Sequence, residues 1–549
     1  MTPESLAEKV LSATVTAFNA AGLDTSVLPA KTTVERPRNP EHGDYASTIA
    51  LQLAKKAGTQ PRSLAEQIAA ELVDAEGIES VELAGPGFLN ITLAAGAAGE
   101  IVGTIVGQGA KFGTNTTMNS DRINLEFVSA NPTGPVHLGA TRWAAVGNAL
   151  ARVMQASGAE VVQEYYFNDA GAQIDRFAES LYAIAQGRDI PEDGYAGAYM
   201  EDIAQEIVDN NPDILESDNA LRTFRNEGID LMFADIKRSL ADFGVEFDVY
   251  FNERDLHESH ALEDALEKLS AAGHVFEKDG ATWLRTTTFG DDKDRPLKKS
   301  DGAWTYFAAD CAYYLNKRKR GFEHNVIMLA ADHHGYVGRM NAMTQCFGDN
   351  PAHLELIIGQ FVNLLKDGQP VRMSKRAGTV VTLDDVVEQI GVDATRYALA
   401  RYSMDTPIDL DIDRWTRHNS DNPVYYVQYA HARISAVIRN AAEKGIILGG
   451  TYRAEELTHE RELDLLKELA EFPNVVASAA ELREIHRVAR YAEGLAGAYH
   501  RFYSECRILP RDGEKLTETG LSRLWLAEAT RITLRNALRM LGVSAPDRM

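Results

Sequence analysis

The sequence predicts a multidomain α/β protein. An N-terminal α+β unit is expected over residues 1–110 and a central parallel-sheet unit over 120–405, with a helical insertion at about 180–300. A C-terminal all-α bundle is expected over 411–549. Three observations lead there. The chain has 549 residues, which suits about three or four domains at roughly 150 residues each. Its middle alternates strand-like, loop and helix-period segments, the order that builds a parallel sheet. Beyond residue 411 almost only helix-period segments remain. Hydrophobic residues make up 45% and charged residues 25%, which excludes a wholly disordered or fibrous chain.

Taken in order, residues 3–20 carry the period of an amphipathic helix. A loop rich in proline and charge follows at 35–45, and helices are expected at 45–57 and 63–75. Strands at 78–84 and 88–93 flank Gly85-Pro86-Gly87, a turn signal. Residues 107–122 are polar, lack an apolar period and read as a linker. A strand at 123–128 is broken by Asn131-Pro132-Thr133-Gly134-Pro135. A helix at 141–157 and a strand at 161–166 follow, then a turn at Asn168-Asp169 and another helix. Strand–loop–helix–strand is the Rossmann-like signature. Residues from about 190 to 300 are mainly helical and acidic, with a hairpin near 275–284, and read as an insertion. Strands return at 326–329 and 355–359.

The net charge is −24, from 56 basic and 80 acidic side chains. That balance argues against indiscriminate binding of DNA or anionic membranes, and leaves room for a nucleic acid met by a local basic patch. Residues 411–549 hold 20 basic and 20 acidic side chains, so the tail is the part least repulsive to a polyanion. Three cysteines, Cys311, Cys346 and Cys506, form neither a disulfide framework nor a zinc spacing. No apolar run of membrane-spanning length and no leader pattern over 1–19 stands out, so a reducing, cytoplasmic location is expected.

Several nucleotide signatures fail. The chain has no Gly-Lys dipeptide and hence no P-loop, and Gly107-x-Gly109 lacks the third glycine of a dinucleotide fingerprint. Two short motifs do better: Pro135-Val136-His137-Leu138-Gly139-Ala140, between a strand and a helix, and Val371-Arg372-Met373-Ser374-Lys375-Arg376-Ala377-Gly378, more than 200 residues later. Together, in this order and on this frame, they resemble the HIGH and KMSKS motifs of class I aminoacyl-tRNA synthetases. The chemistry of amino-acid activation suits them. A carboxylate attacks the α-phosphate of ATP and expels pyrophosphate, so the protein must position two anions and neutralise developing charge. A glycine at a helix start lets a phosphate approach the N-terminal field. His137 can donate to a phosphate oxygen, and Lys375, with Arg372 and Arg376 beside it, can meet pyrophosphate. Ala140 stands where the motif usually has its second histidine, and Arg372 replaces the first lysine of KMSKS.

The flanking segments narrow the resemblance. Glu126-Phe-Val-Ser-Ala-Asn131-Pro132-Thr-Gly-Pro-Val-His137, Tyr166-Phe-Asn-Asp169-Ala-Gly-Ala-Gln173, Tyr306-Phe-Ala-Ala-Asp310, Ala331-Asp-His333-His-Gly-Tyr336 and Asn422-Pro-Val-Tyr425-Tyr426-Val-Gln-Tyr429-Ala-His-Ala-Arg433 resemble segments of the arginyl-tRNA synthetase family. His42-Gly-Asp-Tyr45 and Gly85-Pro-Gly-Phe-Leu-Asn90 extend the likeness to the first 110 residues. A guanidinium is a planar fork of donors, best met by carboxylates and carbonyls. Tyr306 and Asp310 are four apart, so on a helix they face the same way.

The resemblance implies an arginine site in which Asp310 and Tyr306 bind the guanidinium, Glu126 and Asn131 hold the amino and carboxylate end, and His333 contributes. It implies an ATP site of Pro132, His137, Gly139, Met373, Ser374 and Lys375, with His137 and Lys375 catalytic. ATP with Mg²⁺, L-arginine and the arginine tRNA are the implied substrates and partners, with tRNA needed before the first step. The protein is expected to act as a monomer, with no resident metal site. Tyr426 and Arg433 are the expected tRNA contacts, with Tyr425, Tyr429 and Arg439 beside them, and at least two of the three tyrosines are expected in the core. Two alternatives remain open from sequence: a related nucleotidyltransferase for a different acid, and a non-catalytic RNA-binding paralogue.

Overall fold

The computed structural model describes every residue except 2, 38, 40, 41, 95, 98, 170, 334, 372–380, 450 and 451. The first unit opens with α1 (Pro3–Ala21), which buries Leu6, Val10 and Phe18 on one face. Then come β1 (Tyr45–Ser47), α2 (Ile49–Ala54) and α3 (Pro61–Leu72). The hairpin of β2 (Ile78–Ala84) and β3 (Phe88–Leu93) has the expected bounds, and β1 pairs with the far edge of β3. The helix expected from residue 45 therefore starts later. Tyr45, Ile49 and Leu53 are spaced for one helix face and all are buried. The backbone at 45–47, however, pairs with Leu89–Ile91, and the Asp44 carboxylate accepts from the Leu93 N–H at 2.9 Å.

The central unit begins with α4 (Glu100–Gln108), β4 (Arg122–Glu126), α5 (Leu138–Ala156), β5 (Glu160–Phe167) and α6 (Ala172–Ala185). Helices α7 (Ala198–Asn210) and α8 (Ala220–Asp242) lead to β6 (Val249–Asn252). After α9 (Glu253–Glu258) and α10 (Ala261–Ala271), a small antiparallel sheet is built from β7 (Val275–Lys278), β8 (Ala281–Leu284) and β9 (Arg295–Lys298). The unit continues with α11 (Tyr306–Lys319), β10 (His324–Ala330), α12 (Tyr336–Cys346) and β11 (Leu354–Gly359). Five parallel strands form the main sheet in the order β11-β10-β4-β5-β6. The fold-class expectation is met. The insertion is not a separate block, because β6, in its midst, belongs to this sheet. A third small sheet joins β12 (Val362–Lys366), β13 (Gln369–Pro370) and, beyond α13 (Leu383–Ile390) and α14 (Val392–Ala400), β14 (Ile408–Asp411).

The tail runs through α15 (Ile412–Trp415), α16 (Pro423–Glu443), α17 (Glu460–Glu481), α18 (His486–Glu505) and α19 (Glu518–Leu541). One continuous apolar core joins it to the central sheet, while the first unit keeps a core of its own. Helix α19 packs on α4 and α5, and α17 packs on α5. The segment expected to be a linker is held by this tail. Asn536 donates to the carbonyls of Gly109 and Phe112 at 2.9 and 3.0 Å, and Arg539 donates to that of Ala110 at 2.6 Å. Local composition carries no sign of partners so far along the chain. The first unit meets α17 through ion pairs of Arg36 with Glu468 and Glu471, and of Lys467 with Asp44.

Two arginines are caged by carbonyls instead of carboxylates. Arg142 of α5 donates to the carbonyls of Gln360, Thr406 and Ser403. Arg396 of α14 donates to those of Phe243 and Leu541 and to the Asn148 side chain. Burial lowers their pKa to about 10 and about 9, respectively. Arg396 thereby ties the ends of α8 and α19 to α5. Arg396→Met strands these buried acceptors and is expected to cost about 2–4 kcal/mol, read as a lower denaturation midpoint.

Candidate active site

Along the sheet, β10 and β4 are the strands between which the direction of winding reverses, and their carboxyl ends open a crevice, the usual place for a ligand in such folds. The chain leaves β4 through a strained turn: Val128 and Ser129 have φ of +69° and +43°, rare for non-glycine residues and costly by about 1–3 kcal/mol each. The turn is held by Tyr165, whose hydroxyl donates to the Ala130 carbonyl at 2.7 Å. It aims the Ser129 hydroxyl at the Glu126 carboxylate, 3.2 Å away.

Two cavities of about 660 and 670 Å³ meet here, sharing His137, Gly139 and Val362 as a wall. His137 caps α5, its Nδ1 accepting from the Ala140 N–H at 3.2 Å. That acceptance places the ring proton on Nε2. A Cβ on Gly139 would press on the His137 ring at 3.1 Å, which supplies a packing reason for the glycine. The Leu138 N–H donates to the Val381 carbonyl at 2.9 Å, and the Leu383 N–H donates to that of Val136 at 2.7 Å. The chain that leaves the second motif is thus stitched to the first. Val371 and Val381, on either side of 372–380, line the second cavity with His137 and Gly139. Met373, Ser374 and Lys375 lie outside the described residues.

The first cavity is acidic at both ends. Asp310 is half-buried, accepts from the Tyr336 hydroxyl and has its pKa raised to about 7, chiefly by lost solvation and further by Glu253 and Glu126. Glu253 is buried beside it and accepts from the Tyr166 hydroxyl at 2.7 Å. At the other end Glu126 is buried against Lys317, with Nζ 2.5 Å from Oε2. Behind it Glu164 takes two donors of Arg320, at 2.6 and 2.9 Å, together with Asn124 and the Tyr313 hydroxyl, and is held down at about 2. An entering cation favours the ionised form of Asp310.

Of the expected arginine contacts, Glu126, Asp310 and His333 line this cavity, while Tyr306 and Asn131 do not. Tyr306 is 75% exposed, and its hydroxyl stands near Gly171. The four-residue spacing holds on α11, but only Asp310 of the two reaches the cavity lining. Asn131 is exposed and donates to the Gln173 side chain at 2.8 Å. Pro132 is buried and lines neither cavity.

Known proteins resemble this chain along its length. Residues 4–93 match the arginyl tRNA synthetase N terminal domain, 101–403 the catalytic domain of tRNA synthetases class I (R), and 427–549 the DALR anticodon binding domain. An arginine–tRNA ligase of Kineococcus radiotolerans is 57% identical over 555 residues, the whole of both chains. The chain belongs to the arginyl-tRNA synthetase family. A crystal structure assigned to an arginyl-tRNA synthetase from Campylobacter jejuni superposes with a TM-score of 0.77 at 31% identity, over 83% of this chain and 100% of the other. The arginyl-tRNA synthetase of Thermus thermophilus gives 0.76 at 21% identity over the whole of both, a likeness of fold.

In this family member the tail carries an aromatic and cationic stripe. The rings of His418, Tyr425 and Tyr429 stack in parallel, with centres 5.6 and 5.9 Å apart. Arg433 donates to the Tyr429 hydroxyl at 2.9 Å and lies over its ring. Tyr426 is half-buried against His500, which Arg433 also contacts. None of the three tyrosines is in the core, contrary to expectation: one face of α16 keeps all three near the surface. Arg439 is occupied by the Asp547 carbonyl.

Residue types alone missed Lys317, Glu253, Tyr166 and Tyr336. The one usable signal is the i, i+3, i+4, i+7 pattern of Asp310, Tyr313, Tyr314 and Lys317 on α11, all lining the cavity. The raised pKa of Asp310 has a consequence for stability. Between the unfolded value near 3.8 and about 7 the folded chain holds a proton the unfolded chain has lost, so stability falls as pH rises through that window. Asp310→Asn is expected to gain on the wild type by roughly 1.4 kcal/mol per pH unit across it. Denaturation of both proteins at several pH values measures this, and a difference independent of pH contradicts it.

Proposed function

We propose that the acidic cavity takes L-arginine and that the cavity beyond His137 takes the phosphates of ATP. As a class I synthetase of the arginine family, the chain charges the arginine tRNA with arginine for translation, with ATP as substrate. The observation that supports the site reading is the pair of hydrogen bonds joining 136–138 to 381–383, which holds the chain beyond the lysine-bearing motif beside the His137 wall of both cavities.

In this reading Asp310, steadied by Tyr336, accepts from the guanidinium, and Glu126 meets the α-ammonium. The carboxylate then points toward the α-phosphate. Its oxygen forms the new bond to phosphorus as the bond to pyrophosphate breaks, the leaving group taking the electron pair. His137 donates from Nε2 to a phosphate oxygen, and Lys375 neutralises the leaving pyrophosphate. The ribose hydroxyl of the tRNA's terminal adenosine (the 2′-hydroxyl in class I) next attacks the arginyl carbonyl and displaces AMP. Tyr306, exposed at the cavity mouth, and Asn131 and His333 at its rim are proposed to close on the bound substrate. Pro132 is kept as a buried support of the ATP side. Mg²⁺ is proposed to arrive on the nucleotide phosphates, as is usual for this ion; among the described residues no group of three His, Cys, Asp or Glu side chains is set to hold a metal. Tyr426 and Arg433 are proposed to contact tRNA with the stacked rings beside them. The reading retains a cytoplasmic monomer; no described helix is long and apolar enough to cross a membrane.

ATP–pyrophosphate exchange with a panel of amino acids, with and without the arginine tRNA, tests this. Exchange is expected with arginine alone and only in the presence of tRNA. Exchange driven by another amino acid overturns the arginine reading, and full exchange without tRNA overturns the tRNA requirement. Lys375→Ala is expected to slow exchange by about 10²–10³-fold while arginine affinity holds. Asp310→Ala is expected to raise the KM for arginine far more than that for ATP, and equal losses of both indicate misfolding.

A further inference from the structure

Helix α11 is a rigid rod along the arginine cavity. Asp310 stands at one end of its lining face and Lys317 at the other, an axial rise of about 10 Å. At the far end both Lys317 and Glu126 line the cavity, and the Lys317 side chain is the more covered of the two, 1% exposed against 8%. The Tyr313 ring lies 4.4 Å from Lys317 Nζ. Glu164, 3.9 Å from Lys317, feels the lysine's charge but takes its hydrogen bonds from Arg320, Asn124 and Tyr313, while the lysine's own hydrogen bond goes to Glu126. The second Glu126 oxygen accepts from the Ser129 hydroxyl, which itself accepts from the Tyr166 N–H at 3.2 Å.

Other charges face this carboxylate with the opposite effect. Glu164 of β5, Asp310 of α11 and Glu253 of α9 are acids, and Tyr166 and Tyr313 bring hydroxyls without positive charge. Of the remaining cations, Arg320 is spent on Glu164, and Arg339 of α12 acts on Asp310 and stacks over Tyr336. A buried carboxylate among acids is costly unless a cation is placed on it.

We propose that Lys317 is a positioning residue for the synthetase reaction: with Ser129 it fixes the Glu126 carboxylate at the cavity wall, where it meets the α-ammonium of arginine. This rests on the arginine reading above. It commits Lys317 to acting through Glu126, without touching the substrate's carboxylate.

Three ligands separate these roles by calorimetric titration of the full chain. Arginine carries both end groups, agmatine keeps the ammonium without the carboxylate, and 5-guanidinopentanoate keeps the carboxylate without the ammonium. In Lys317→Met, Glu126 loses the cation that holds it in place. Arginine and agmatine are then expected to bind about tenfold or more weakly, while 5-guanidinopentanoate binds as to the wild type. In Lys317→Met/Glu126→Gln the loss of ammonium binding is expected to be no greater than in Glu126→Gln alone. Equal loss of all three ligands makes Lys317 merely structural and overturns the proposal. Loss confined to the two carboxylate ligands places Lys317 on the substrate and overturns it, as does no change at all. A further loss from Lys317→Met in the Glu126→Gln background shows that the lysine acts apart from Glu126 and likewise overturns it. A wild type that binds none of the three overturns the arginine reading itself.

Discussion

The site depends on a short stretch of backbone pairing between residues 136–138 and 381–383. It satisfies one of the N–H groups that every helix start leaves open, and does so with a carbonyl more than 240 residues further along the chain. Closing so long a loop costs little more entropy than closing a shorter one, because the cost grows only with the logarithm of length. The continuous core supplies the stabilisation that keeps the two strands of chain together. Without the junction, the two motifs share no wall and the second cavity loses one side.

The electrostatics of the first cavity follow from how its acids are partnered. Glu164 and Glu126 are satisfied from within, by Arg320 and Lys317. Asp310 has a tyrosine hydroxyl for its partner and Arg339 at longer range, and it meets the deficit by holding a proton near neutral pH. The empty site therefore lacks a cation at one end while the other is complete. A forked cation on an extended side chain corrects that imbalance, and a ligand with no positive end does not. Selectivity of this sort comes from leaving buried polar groups unpaired when the wrong ligand enters, an effect worth several orders of magnitude in discrimination.

Much of this could be read from residue order. The hairpin at 78–93 and the strand–loop–helix entrance to the site follow from period and turn residues, which are local properties, and the acids Glu126 and Asp310 follow from the family resemblance of the segments that carry them. What escaped was set by distant partners. Lys317 belongs to a run of basic residues, Lys317 to Arg320, that reads as a solvated last turn, yet its partner lies 191 residues away. Residues 45–47 satisfy a helix period but are captured by a strand formed some forty residues later. The segment at 107–122 looks like a tether because it is polar and aperiodic, yet its Gly109 and Ala110 carbonyls are covered by side chains of α19. Tyr306 follows the facing rule along α11, but that rule does not say how far a cover extends over the helix.

The shared core between the central sheet and the tail has a practical side. Helices α17 and α19 lie directly on α5, the helix whose first residue follows His137. Truncation near residue 405 would uncover the apolar flank of α5 together with α4 and α14, and the shortened chain would be prone to aggregation. Dissection of this enzyme into a stand-alone catalytic piece and a stand-alone RNA-binding piece is thus blocked on the catalytic side. The first unit, with its own core and polar bridges to α17, is the piece that can be cut away as an autonomous fragment.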